Sequence, residues 1–126
     1  MKDIRLALVG FGHVGRRFAQ DLRGRYTRAL RSAGLGVRVT GIATARHGLA
    51  LAPEGLALHR ARRLVESGRS LEALGRGPQP RNVRQLIAQV PADVLVEIST
   101  LDPRQGQPAI AHVRQALNRG LHVVTA

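Results

Sequence analysis

Six residues near the start of the chain, Gly10-Phe11-Gly12-His13-Val14-Gly15, carry the spacing G-x-G-x-x-G. Each glycine answers a different steric demand. Gly10 permits a tight turn out of a strand, Gly12 leaves the backbone open to an approaching pyrophosphate, and Gly15 lets the following helix pack closely on that strand. The helix start then offers free N–H groups and the positive end of its dipole to the phosphates. This is the chemistry of holding a dinucleotide. A glycine-rich turn can also bind nothing, so the surroundings matter: residues 3–9 (DIRLALV) are a strand-like apolar run directly before, and a helical pattern and a second strand follow. Phe11, His13 and Val14 complete the predicted cofactor-binding turn. A ring N–H of His13 can donate to the pyrophosphate, or the ring can face solvent. Hydride chemistry lies further along such a cofactor, so His13 is assigned no catalytic role.

The end of the second strand decides between NAD and NADP. An acid there accepts hydrogen bonds from the adenosine ribose and repels a 2′-phosphate. Here the strand runs into Ile42-Ala43-Thr44-Ala45-Arg46-His47, and no acid lies between Asp21 and Glu54. Arg46 can pair with a 2′-phosphate and Thr44 can donate a hydroxyl bond to it. Alternatively, Arg46 stacks on adenine or points outward. The expected cofactor is NADP, with NAD also possible.

A second constellation stands near the far end: Ala92-Asp93-Val94-Leu95-Val96-Glu97-Ile98-Ser99-Thr100, then Gly106-Gln107-Pro108-Ala109, then Ala116-Leu117-Asn118-Arg119-Gly120-Leu121-His122-Val123-Val124-Thr125-Ala126. Ligands of open α/β sheets sit in the crevice at strand carboxyl ends, which places Ser99 and Thr100 at that crevice. Glu97 interrupts an apolar strand. It is either buried with a partner or at the strand's open end, and serves either as a structural carboxylate or as a substrate contact. Asp102 before Pro103 reads as a turn or cap residue. His47, His59, His112 and His122 show no metal-ligand spacing and read as surface or interior residues; with no cysteine either, no metal site is expected.

The elements that must position these groups follow from periodicity. Val14, Phe18, Leu22, Tyr26 and Leu30 recur every four residues and predict one amphipathic helix closed by Gly34. Residues 37–44 (VRVTGIAT) predict a second strand. Residues 45–53 read as a loop, 54–75 as one or two helices interrupted near Gly68, and 75–80 (GRGPQP) as a break. Asn82 with Gln85 resembles a capping box, followed by a helical face of Val83, Leu86, Ile87 and Val90. Residues 93–99 predict a strand, and Pro108 opens a helix whose buried stripe is Ile110, Val113 and Leu117, ended by Gly120. Residues 121–125 are the last strand. Apolar strands separated by helices indicate a doubly wound, mostly parallel α/β sheet, a Rossmann-type NAD(P)-binding domain over residues 1–126.

The chain of 126 residues has one domain's worth of length, and 44% hydrophobic residues suit a globular protein. No apolar run reaches the roughly 18 residues that span a bilayer, and Met1-Lys2-Asp3-Ile4 enters a strand with no signal-peptide pattern, so the expected address is cytoplasmic and no membrane partner is expected. The net charge of +12 invites a nucleic-acid reading. Against it, 19 of the 20 basic residues are Arg in a chain rich in Ala, Gly and Leu, the bias of a GC-rich genome. Tyr26, Phe11 and Phe18 provide no stacking platform, and the charges are scattered, densest at Arg60, Arg62 and Arg63. The charge reads as a solvated arginine-rich surface.

Taken together, the first turn, V-E-x-S with its G-x-P-A helix start, and the A-L-x-x-G-x-H-V-V-T-A string resemble homoserine dehydrogenases. The resemblance runs from residue 4 to 126 and is poorest over about residues 50–90; the terminal string is its most specific part. It implies that Ser99 and Thr100 lie beside the nicotinamide half of the cofactor. It also implies a parent oxidoreductase that interconverts L-homoserine and L-aspartate 4-semialdehyde, in threonine and methionine biosynthesis, and a homo-oligomer at full length. In the family the T-A string continues into an Asn-Lys pair and a substrate domain with further lysine and acidic residues. The only lysine here is Lys2. The chain is therefore expected to represent the cofactor domain alone, with no catalytic residue and no turnover of its own. Aspartate dehydrogenase-like and sugar-oxidoreductase-like enzymes share this sheet, but the latter usually end the strand in Glu-Lys-Pro, which Val124-Thr125-Ala126 fits less well. A non-catalytic nucleotide sensor and a basic nucleic-acid-binding module are the readings from other classes.

Overall fold

In β1 (Lys2–Val9) the last four residues are all buried, as a strand covered on both faces requires. The computed structural model describes residues 2–99 and 104–125. In it β1 is the middle of a five-stranded sheet. β2 (Leu35–Ala43) and β4 (Val94–Glu97) flank it in parallel, and β5 (His122–Thr125) lies parallel beyond β4. Beyond β2 comes β3 (Leu49–Leu51), which is antiparallel. This is the α/β fold expected from the alternation of strands and helices, with one strand reversed.

Two apolar layers cover the sheet. On one side Leu6, Leu8, Val39 and Ile42 meet α1 (His13–Arg23) and α3 (Leu58–Glu66) through Ala19, Ala61 and Val65. On the other, Ala7, Val9, Ala43 and Leu95 meet α4 (Val83–Gln89) and α5 (Ala109–Asn118) through Leu86, Ile87 and Ala116. Leu8 and Ile42 are fully buried; each such side chain contributes about 1.5–3 kcal/mol by leaving water. The register between β1 and β2 slips by one residue, Leu6 facing Val39 but Ala7 facing Gly41. Thr40 is the extra residue, and its hydroxyl donates to the Pro91 carbonyl at 3.0 Å. The bulge puts Val39 and Ile42 on one face and turns Gly41 toward α4. A Cβ on Gly41 would lie 2.9 Å from Val90 Cγ2.

Three expectations are corrected. The single helix over residues 14–30 is two: α1 ends at Arg23, and α2 (Thr27–Ser32) follows a break at Gly24. There the Tyr26 N–H bonds back to the Asp21 carbonyl at 3.0 Å, and the Thr27 hydroxyl shares its one proton between the Leu22 and Arg23 carbonyls at 2.9 and 2.8 Å. A repeat of four drifts about 40° per step on a 3.6-residue helix, so Val14 and Leu30 never shared a face. The inward line is Gly15, Phe18, Ala19 and Leu22, while Val14 and Tyr26 are exposed. Second, residues 45–53 are not all loop: a turn at 44–48 returns the chain as β3, whose outer edge at Leu51 pairs with the Gln79 side-chain amide through 2.9 and 2.8 Å bonds. Third, α5 buries Ala109 and Ala116, with Val113 half-buried, while Ile110 and Leu117 are exposed. Small residues let α5 approach the sheet closely, one position around from the larger ones.

The other predicted breaks and caps are present, although Val90, expected on the face of α4, follows it in extended backbone. Gly68 (φ +77) separates α3 from a 3-10 turn at Leu71–Leu74. The Gln85 N–H donates to Asn82 Oδ1 at 2.8 Å, and Gln85 Oε1 reaches back to the Arg81 N–H at 2.8 Å. Pro108 caps α5, which Gly120 (φ +89) terminates. Several arginines serve the fold itself. Arg5 grips Asp93 through Nη2–Oδ1 at 3.0 Å and its own N–H to Oδ2 at 2.9 Å, Arg38 pairs with Asp3, and Arg119 donates to the Ile87 carbonyl at 2.8 Å. Among the described residues no helix is long and apolar enough to cross a membrane.

Candidate functional site

The glycine turn leaves β1 at Gly10, whose φ of +106° excludes a side chain and whose N–H donates to the Ala43 carbonyl at 2.9 Å. A Cβ there would meet the Ile98 and Ser99 backbone at 2.5–2.6 Å, so β1 and the segment after β4 touch at this point. At Gly15 a Cβ would strike the Gly10 carbonyl oxygen at 2.7 Å; at Gly12 it would meet nothing within 4 Å. The turn is thus packed behind and open in front. The first helical bond runs from the Arg16 N–H to the Gly12 carbonyl at 2.9 Å, so the amides of residues 13–15 have no helical acceptor. No acidic residue occupies the first turn of α1. Arg16 closes one side, donating through Nη1 to the Phe11 carbonyl at 3.1 Å, lying 3.3 Å from His13 Nδ1, and pairing with Glu66 at 3.4 Å.

Arg46 stands exposed at the tip of the β2–β3 hairpin. Thr44 shapes that tip. Its hydroxyl donates to the Gly48 carbonyl at 2.7 Å and accepts the His47 N–H at 2.7 Å, while its own N–H bonds to Gly48 at 3.1 Å. The hydroxyl proton is therefore spent on the turn.

Beyond β4 the acid is buried. Glu97 is 1% exposed at the last position of the strand, opposite Val9 and Thr125. Its Oε1 accepts both the N–H of Ser99, at 2.8 Å, and the Ser99 hydroxyl. Its Oε2 lies 2.5 Å from Nδ1 of His112 on α5. Burial pushes the Glu97 carboxyl up, but the hydrogen bonds from His112 and Ser99, with the charge of His112, outweigh it and hold the group below its ordinary value. Of the alternatives open to Glu97, burial with a partner is the one realised.

These three ends meet in one cleft of about 490 Å³ along the carboxyl edge of the sheet. Of the predicted site residues, Gly10, Phe11, Gly12, Thr44, Arg46 and Ser99 line it. Gly15 supports it from behind, while His13 and Val14 are exposed at the helix start without forming its wall. Thr100, Asp102 and Pro103 lie outside the described residues. The reading from sequence missed Arg16, His47, Pro108 and His112, which also line the cleft. Arg16 had a local signal, following the last glycine of the motif. His112 had none, since it is 15 residues from Glu97 and only the β4–α5 packing joins them. Among the described residues no group of three or more His, Asp or Glu side chains is arranged to hold a metal ion.

Comparison with known proteins agrees with this geometry. The homoserine dehydrogenase NAD-binding domain family matches residues 10–126. The NAD(+)-dependent homoserine dehydrogenase of Pseudomonas canavaninivorans is 32% identical over 125 residues, 99% of this chain and 36% of that protein. A candidate homoserine dehydrogenase from Archaeoglobus fulgidus has a similar structure, with a TM-score of 0.74 at 29% identity over 97% of this chain and 33% of its own. A hyperthermophilic archaeal homoserine dehydrogenase mutant, solved in complex with NADPH, gives 0.73 at 27% identity over 98% and 35%. The chain spans about a third of the length of these relatives. With the turn, the sheet order and nearly every residue covered by the match, the chain belongs to the homoserine dehydrogenase family as its NAD-binding domain.

Proposed function

We propose that this domain binds NADP(H) across the cleft, with the 2′-phosphate preferred, for an oxidoreductase that interconverts L-homoserine and L-aspartate 4-semialdehyde. The observation that carries the reading is the space in front of Gly12, where amides with no helical acceptor meet a helix start free of acids. A pyrophosphate fits there because nothing occupies the position of a side chain. The amides of residues 13–15 hold the phosphates, and Gly10 and Gly15 keep the turn tight behind them. Arg46 takes the 2′-phosphate, since the β2 end carries no acid to accept a ribose hydroxyl, and Thr44 holds the hairpin that presents it. Ser99, with Thr100 after it, belongs to the nicotinamide half. When bound, the nicotinamide carries the hydride; residues outside this chain orient the substrate carbonyl and its proton.

Titrating the 126-residue chain with NADPH and NADH at several salt concentrations tests the binding half. Tighter binding of NADH overturns the preference, and binding of neither overturns the cofactor reading. Assaying a form that continues past Ala126 with homoserine and NADP tests the substrate; turnover of a different substrate alone would remove it.

A further inference from the structure

The order of the strands lays out the order of ligand groups along the cleft. Arg46 follows β2, the glycine turn follows β1, and Ser99 follows β4, with β1 between the other two. On the cofactor reading above, a dinucleotide therefore runs from its adenosine ribose at the hairpin, through its phosphates at the turn, to its second ribose beside β4. The wall at this last position is made by Ser99, Pro108 and His112. The His112 side chain is 14% exposed, and its Nδ1 is spent on Glu97. Among the described residues no buried side-chain nitrogen or oxygen lacks a partner, and Nε2 bonds to none of them, so Nε2 keeps an accessible surface on a residue that lines the cleft.

We propose that His112 is a cofactor-binding residue whose Nε2 hydrogen-bonds the nicotinamide-ribose hydroxyls, with Glu97 as the positioning residue that fixes its ring through Nδ1. The geometry separates this from a merely structural pair. A carboxylate on Nδ1 settles which nitrogen faces outward, as it does for histidines that ligate metals. With Nδ1–H donated, Nε2 accepts in the neutral ring and donates in the cation. A ribose hydroxyl can do the converse of either, so the pairing tolerates both forms. Glu97 also binds the Ser99 N–H and hydroxyl, so one buried carboxylate orients two cleft residues at once.

The test compares NADPH with adenosine 2′,5′-bisphosphate, which carries the adenosine end and no second ribose. Calorimetry on the wild type and His112→Asn is expected to show about a tenfold loss for NADPH and none for the bisphosphate. Asn keeps a donor at the Nδ1 position for Glu97 but has no atom at the Nε2 position. In NMR spectra of the wild type, the His112 ring resonances should shift with NADPH and stay put with the bisphosphate; this arm stands even if the variant fails to fold. Unchanged NADPH affinity, an equal loss for both ligands, or unmoved His112 resonances overturns the proposal. A wild type that binds neither ligand removes the cofactor reading, and this inference with it.

Discussion

Gly15 packs against the carbonyl oxygen of Gly10 so closely that a Cβ at 15 would lie 2.7 Å from it. Gly12, between them, faces open space. The two positions therefore separate the folding role of the motif from its binding role. Gly15→Ala forces helix and strand apart and is expected to cost roughly 2–3 kcal/mol, a drop in Tm of about 10 °C. Gly12→Ala should stay within about 1 kcal/mol of the wild type yet weaken NADPH at least about tenfold. Melting curves and titrations on the two variants check this. An alanine at 12 that leaves NADPH binding intact would mean that no phosphate approaches the turn.

Arg46 is separated from the apolar core by its hairpin, so its removal should leave stability alone. Arg46→Ala is expected to lower NADPH affinity by about 10- to 100-fold, the range of a lost charge-assisted bond, with NADH changed less than about twofold. The difference should shrink as salt rises, because the contact is exposed. Equal losses for both cofactors would place Arg46 on the adenine rather than the 2′-phosphate.

Two carboxyl groups make folding sensitive to acid. The Arg5 side chain and N–H hold Asp93 below its ordinary value, and the balance described above does the same for Glu97. Both groups therefore bind protons less readily in the folded state than in the unfolded chain. The stability they contribute is present above the ordinary carboxylate range of about 4 and is lost as pH falls through the lower folded values. Urea midpoints should decline from pH 5 to pH 3, with a shallower decline in Glu97→Gln, whose amide does not titrate. A midpoint that rises on acidification contradicts this sign.

Gly41 lies beneath α4 because the Thr40 bulge turns it there. Gly41→Ala brings a methyl to 2.9 Å from Val90 Cγ2 and 3.1 Å from Leu86 Cδ1. The expected cost is about 1–3 kcal/mol, and Val90→Ala should recover part of it in the double variant. Strict additivity in chemical denaturation would show that the two side chains do not compete for the same space.

The glycine turn, the sheet built on residues 6–9 and the limits of α4 and α5 were legible in the residues themselves. Each depends on interactions within a few positions: a left-handed glycine, a buried apolar run, a capping side chain. The structure decided what depends on closure of the chain. It split the first helix where the Thr27 hydroxyl shares its proton between the Leu22 and Arg23 carbonyls, and seated α5 on Ala109 and Ala116 rather than on the larger side chains beside them. It reversed β3 through the Thr44 turn, which carries Arg46 to the mouth of the cleft. It also joined Glu97 to His112 across a helix–strand contact that no spacing along the chain encodes. Local chemistry could place the glycine turn, whereas the two ends of the cleft exist only once β2 and β4 lie on either side of β1.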